Sequence, residues 1–247
     1  MDPFLAWNDA LQKRHLANLT FQEVRRSVQA LSATYVENRG RLESGKVLTG
    51  EGKRAAFAMF YAPLHFLLVR ETVRALGAAK EMPPTLLDLG CGTGAAGSAW
   101  ALECASVPKI TGIDVSNWAI QEAQWTYRTL GLPGAARTAD IRKLQIPDRT
   151  ALVAAFTINE LDDSERTLML DRLVQAVERG TRILIVEPIA RRITRWWNDW
   201  ASAFDALHGR QDDWRFAVDL PENLRLMDKA AELDHREITG RSLWIPG

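Results

Sequence analysis

The stretch Leu86-Leu87-Asp88-Leu89-Gly90-Cys91-Gly92-Thr93-Gly94-Ala95-Ala96-Gly97 decides the fold. Residues of strand character run into a turn dense in glycine, and an alanine-rich helix opens after it. This is the pattern of the first βα unit of a doubly wound sheet. Its glycines let backbone approach a ligand closely, and the helix N-terminus beyond them presents free N–H groups.

Two glycine registers compete. Gly92-Thr93-Gly94-Ala95-Ala96-Gly97 spells the dinucleotide pattern G-x-G-x-x-G. Gly90-Cys91-Gly92-Thr93-Gly94, with Asp88 two residues upstream, spells the glycine motif of enzymes that use S-adenosylmethionine (SAM). Asp88 weighs for the second. A carboxylate at the mouth of strand 1 opposes a pyrophosphate by like charge, whereas SAM carries an ammonium and a sulfonium and no phosphate. The expected cofactor is SAM, with Asp88, Gly90, Cys91, Gly92 and Gly94 around its methionine end; an NAD-dependent oxidoreductase is a rival.

The chain has 247 residues, 47% hydrophobic and 25% charged, enough for one α/β domain with an extension. Lys plus Arg and Asp plus Glu both number 31, but residues 1–80 hold 12 of the bases and 7 of the acids. A basic N-terminal third suits an anionic partner such as RNA, or is a solvated helical surface. The two cysteines, Cys91 and Cys104, suit neither a metal site nor a disulfide framework, so no metal is expected and a reducing cytoplasm is the default compartment. No apolar signal core opens the chain, and the most apolar stretch, 55–69, contains Pro63 and His65 and is too short to span a bilayer.

Residues 1–80 read as a helical cap over the mouth of the sheet. Phe4, Trp7 and Leu11 share one helical face; Thr20 and Glu23 form a capping box; Phe21, Val24, Val28, Leu31 and Tyr35 repeat along the next helix. Residues 38–50 read as a loop, and a second helical stretch, about 51–77, as interrupted at Pro63. From residue 81 strands and helices alternate as in a Rossmann-like, mostly parallel sheet of seven strands. Strands are expected at about 86–90, 109–114, 135–139, 151–158 and 182–187, with helices between them. Residues 190–208 and 222–233 read as helices, and 214–219 and 236–245 as the last strands.

The strands end in Gly90, Asp114, Asp140, Asn159-Glu160 and Glu187, which a parallel sheet gathers at one edge. Asp114, with Val115 after it, is placed for the ribose hydroxyls; Asp140 and Ile141 are placed for the adenine. Equally, acids at strand-to-helix turns serve as helix caps. Asn159 and Glu160 are the candidate catalytic residues. Methyl transfer is an in-line displacement that needs a base only when the acceptor must lose a proton; Glu160 can be that base or can orient its loop. Tyr61, His65, Glu187 and Arg191 are weaker candidates for the substrate side. Arg191, Arg192 and Arg195 precede Trp196, Trp197 and Trp200, a mixture that can grip phosphates and stack on bases, or whose tryptophans belong to the core. Strand 4 lacks an Asn/Asp-Pro-Pro-aromatic turn and the chain lacks a Pro-Cys pair, which argues against the usual exocyclic-amine and cytosine-C5 chemistries.

Three separated segments then resemble one family: Arg54 through Pro63, Phe156-Thr157-Ile158-Asn159-Glu160-Leu161, and Leu184-Ile185-Val186-Glu187-Pro188. Together they resemble the small-ribosomal-subunit methyltransferase-like family of bacteria and mitochondria, over about residues 28–190. The resemblance implies a SAM-binding fold associated with small-subunit rRNA or ribosome assembly, and a methyltransferase acting on that rRNA or a ribosomal precursor is the expected function. It departs from relatives whose cysteine cluster holds an iron–sulfur centre, because two cysteines cannot supply one. Two other functions fit the residues: a methyltransferase for a small-molecule acceptor, and a non-catalytic assembly factor that keeps the fold.

Overall fold

The computed structural model describes residues 2–37, 48–189 and 194–247, with backbone alone for 33–37. Three expectations therefore lie outside the described residues: the place of the Tyr35 side chain, the loop over 38–47, and the setting of Arg191 and Arg192.

The expected alternation is present. Strands β1 (Thr85–Leu89), β2 (Lys109–Asp114), β3 (Gly134–Thr138), β4 (Ala151–Ala155), β5 (Arg182–Glu187), β6 (Arg210–Ala217) and β7 (Glu237–Ile245) form one seven-stranded sheet in the order β3-β2-β1-β4-β5-β7-β6. The first five pair in parallel, and β7 runs antiparallel to both β5 and β6. All five parallel strands end on the same edge, and the strand order reverses between β1 and β4, where an open α/β sheet forms its crevice.

Alternate residues of each strand feed two separate cores, as the period of a strand requires. Leu86, Val153, Leu184, Val186 and Trp244 face one core. Leu87, Leu89, Leu152, Ala154, Ile183, Ile185 and Leu243 face the other. The first core is closed by α1 (Pro3–His15), α2 (Phe21–Glu37), α3 (Glu51–Ala56), α4 (Ala62–Leu76), α5 (Ala95–Glu103), α6 (Asn117–Thr129) and, near the C-terminus, α9 (Glu222–Ala230). The second is closed by α7 (Asp163–Glu178) and α8 (Trp197–Ala206). Both faces of β4 and β5 are covered, which accounts for their unbroken apolar runs.

Phe4, Trp7 and Leu11 are buried as their spacing predicts, and Thr20 and Glu23 exchange both capping-box bonds, 3.3 and 2.8 Å. The basic excess of the N-terminal third is partly neutralised internally. Arg14 pairs with Glu122 at 2.8 Å, Arg70 with Asp2 at 3.2 Å and Arg74 with Glu103 at 2.8 Å.

Two expectations are corrected. Pro63 does not interrupt its helix, because α3 runs through a π-helical turn, Phe57–Tyr61, straight into α4. The Ala62 N–H reaches back five residues to the Phe57 carbonyl, and the widened turn accommodates a proline that cannot donate and whose ring crowds the preceding turn. Strand β4 stops at Ala155 rather than 158. Phe156 takes a left-handed conformation, φ 58°, and residues 158–160 wind into a 3-10 turn, Ile158–Glu160.

Gly94 has φ +81°, and a Cβ there would lie 2.9 Å from the Tyr127 ring and 3.1 Å from the Ala123 Cα. Gly94→Ala should therefore lower folding stability by about 2–4 kcal/mol, from left-handed strain plus overpacking. Urea unfolding measures it; a loss below about 0.5 kcal/mol, the scale of an ordinary surface substitution, would contradict this account of the turn.

Candidate active site

The glycine turn is held from behind by Asp88. Its Oδ2 accepts the Gly97 N–H at 2.9 Å, so the carboxylate caps α5 from β1, at a helix start where glycine offers no side chain. The second oxygen, Oδ1, is buried with no hydrogen-bond partner among the described residues. Burial, aided by the nearby Asp114 charge and opposed by the Gly97 bond, pushes Asp88 up to about 7. A buried carboxylate with one unanswered oxygen is stabilised by a cation placed over the turn.

Asp114, at the end of β2, ties two strand ends together. It accepts the Gly92 N–H at 3.0 Å and the Ser116 N–H at 2.8 Å. Burial raises its pKa against those bonds. Two N–H groups leave lone pairs of the carboxylate unused. Val115 beside it is 58% exposed, an apolar shelf at the mouth. Gly90 and Gly92 take φ of 63° and 50°; a Cβ on Gly90 would collide with Thr157, whereas Gly92 faces open space with Phe57 3.9 Å away. A buried acid behind a turn that is open in front, with an acidic and an apolar neighbour, fits the ammonium, ribose and adenine of SAM.

Other predicted residues are placed differently. The Cys91 side chain points away from the mouth, toward Gly112 and Tyr127, and burial lifts its thiol well above the usual range; only its backbone belongs to the turn. Asp140 caps the 3-10 turn Ile141–Lys143 and is gripped by Arg142 at 2.8 and 2.7 Å, which holds its carboxyl below the usual range; Ile141 is buried beside it. Asn159 and Glu187 bond to each other: Nδ2 of Asn159 lies 2.6 Å from a Glu187 oxygen, and Asn159 Oδ1 accepts the Trp196 indole N–H at 3.0 Å. Glu187 is fully buried. Glu160 is exposed at the end of its 3-10 turn. Trp196, Trp197 and Trp200 are all buried in the second core, which removes them as stacking platforms for bases.

The sequence placed Tyr61 and His65 on a cap over the mouth but did not single out Phe57, Trp118 or Phe156. The π turn and α4 carry Phe57, Tyr61 and His65 over the strand ends. The His65 ring stacks on Phe156 at 3.8 Å and 16°, Phe57 meets His65 edge-on at 6.1 Å, and Phe57 meets Trp118 edge-on at 6.3 Å. Trp118–Phe57–His65–Phe156 thus arches across the ends of β2, β1 and β4. Burial pushes His65 down to about 3 and Tyr61, bonded to Ser32, up to about 12, so both are neutral across the physiological range. Thr157, also unforeseen, donates to the Leu89 carbonyl at 3.0 Å and sets the turn after β4 against Gly90. A separate surface cavity of about 430 Å³, lined by Asp9, Gln12, Phe21, Glu222 and Leu226 among others, holds none of the predicted site residues. Among the described residues no group of acids, histidines and cysteines could hold a metal, and no helix is long and apolar enough to cross a membrane.

Residues 86–180 match the family described as "Methyltransferase domain". No curated protein matches the chain. Among solved structures, a proposed O-methyltransferase of Nostoc punctiforme PCC 73102 is 11% identical with a TM-score of 0.52, covering 90% of this chain and 69% of its own. Magnesium protoporphyrin IX methyltransferase of Synechocystis PCC 6803, with bound SAM, is 13% identical with a TM-score of 0.50, covering 88% and 96%. The N-methyltransferase NodS of Bradyrhizobium japonicum WM9, bound to S-adenosylhomocysteine, is 18% identical with a TM-score of 0.49, covering 74% and 86%. The first two share the fold. The domain match likens residues 86–180, under half of the chain, to a methyltransferase domain on that shared fold.

The Asp88 carboxyl titrates at about 7 in the folded chain, above its ordinary value of 3.8. The folded state therefore keeps a proton that the unfolded state has released, and stability falls as pH rises from about 4 to about 7. Asp88→Asn, neutral throughout, should lose that component. Urea midpoints at pH 5 and pH 7 check it: the wild-type drop should exceed the variant's, and equal drops would contradict the buried, raised carboxyl.

Proposed function

We propose that this protein transfers the methyl group of SAM to a small acceptor with an apolar, aromatic-contacting body. The observation that carries the reading is the aromatic arch over the strand ends, where nucleic acid would need an open basic groove. Asp88 and the glycines at 90, 92 and 94, with the Cys91 backbone, would hold the methionine end of SAM. Asp114 has lone pairs for the ribose hydroxyls, and Val115, Asp140 and Ile141 would meet the adenine. Bound there, SAM supplies a methyl carbon already activated by its sulfonium. Rate then comes largely from alignment, which a rigid roof provides. Neutral His65 can exchange a hydrogen bond with the acceptor while the Phe57 and Phe156 rings contact its apolar body. An imidazole held at about 3 is a poor base, so Glu160, exposed at the mouth, takes the proton from an acceptor that must lose one.

The sequence resemblance supports a second reading, in which the acceptor is small-subunit rRNA or a ribosomal precursor, or the fold serves ribosome assembly without catalysis. Against it stand the N-terminal arginines paired with acids and the three buried tryptophans.

Methyl-labelled SAM separates these readings. Incubated with a panel of phenols, aryl amines and aromatic carboxylic acids, and separately with small-subunit RNA, the protein should put label into a small aromatic product. Phe57→Ala should reduce that transfer by about tenfold, the scale of lost ring contacts. Label in RNA alone would overturn the proposal.

A further inference from the structure

Glu187 is a fully buried carboxylate that none of the roles above uses. It ends β5, beside the turn that follows β4. One oxygen accepts the backbone N–H of Ile158 at 2.8 Å and of Asn159 at 3.2 Å, and the other accepts the Asn159 side-chain amide at 2.6 Å. The amide orientation is not arbitrary. Asn159 Oδ1 receives the indole N–H of Trp196 at 3.0 Å, and an indole can only donate. The Asn159 NH₂ must therefore face Glu187, and the Glu187 oxygen opposite it must accept. Burying a carboxylate here is costly: desolvation pushes Glu187 up and Glu160 adds repulsion, against which three N–H donors hold the accepting, ionised form. The turn it grips lies between Phe156, in the roof, and Glu160, at the mouth.

We propose that Glu187 is a positioning residue whose grip on Ile158 and Asn159, locked from the far side by Trp196, sets the turn after β4 and thereby places Phe156 against His65 and Glu160 at the acceptor side. The functional part of this inference rests on the methyl-transfer reading; the grip itself does not. In Glu187→Gln, the new NH₂ faces the Asn159 NH₂, and one bond becomes a donor–donor conflict. The reciprocal swap, Glu187→Gln with Asn159→Asp, restores every partner. The introduced amide oxygen accepts the two backbone N–H groups, and the introduced NH₂ donates to the new carboxylate at position 159. The other oxygen of that carboxylate receives the Trp196 indole.

The test compares the wild type, Glu187→Gln and the double swap by amide hydrogen exchange and by NMR titration of His65, with S-adenosylhomocysteine affinity measured alongside. Glu187→Gln should speed exchange at residues 158 and 159 about tenfold, the scale of one lost hydrogen bond. It should also move His65, neutral down to pH 5 in the wild type, toward an ordinary titration near about 6.5. The double swap should return both readouts to wild type, and S-adenosylhomocysteine affinity should stay within about twofold throughout. Unchanged exchange and an unchanged His65 titration in Glu187→Gln would overturn the proposal. So would a double swap that fails to regain them, even if the single variant does not fold. Failure of the wild type to bind S-adenosylhomocysteine would instead defeat the methyl-transfer reading and leave the grip standing.

Discussion

One hydrogen bond, from the Gly97 N–H to Asp88, holds the working edge of this fold together. It joins the first strand to the first crossover helix and forces the chain between them into a tight turn. Gly90, Gly92 and Gly94 take positive φ there. It also places a negative charge where a dinucleotide enzyme of the same general architecture needs an unobstructed helix N-terminus. Asp114 repeats the device one strand over, bonding Gly92 on one side and Ser116 on the other. The two acids stiffen the turn and leave electronegative atoms behind and beside it. That combination suits a cationic, hydroxyl-bearing cofactor and disfavours a pyrophosphate.

The acceptor side is built differently. In the proposed reading it combines rings and one deeply buried carboxylate with Glu160 at the mouth. The π turn lets a proline-containing helix continue over the strand ends and bring Phe57, Tyr61 and His65 with it. Phe156 meets them from below because β4 breaks into a left-handed residue at its end. Glu187 holds the turn that follows. Changes at residues 156–160 therefore bear on the roof and the mouth together.

Much of this was legible in the sequence. The glycine turn, the acids closing β2 and β5 and the double-sided burial of β4 and β5 follow from local patterns with strong physical causes. Boundaries shifted where a backbone conformation overrode composition. Phe156, a bulky residue in left-handed geometry, ended a strand that its apolar run extended to 158, and the π turn absorbed Pro63. Side-chain partnership was the least legible layer. Asn159 and Glu187 stood out as polar residues at strand ends, but only the fold shows that they bind each other. The arch could not be read either, since Trp118 and Phe156 come from other elements than the helix that carries Phe57 and His65, and no spacing connects them to it. The row of tryptophans at 196, 197 and 200 showed the opposite failing, because an apolar helix face and a base-stacking surface are spelled alike.

The central claim is that the turn held by Asp88 and Asp114 binds SAM, and ligand-dependent thermal unfolding tests it most directly. A ligand that binds only the folded state, at a hundredfold excess over its dissociation constant, adds about 2.7 kcal/mol. For a chain of this length that raises Tm by roughly 5–10 °C. SAM and S-adenosylhomocysteine should each produce such a shift and NAD should not. A shift with NAD alone, or no shift with SAM or S-adenosylhomocysteine, would contradict the account.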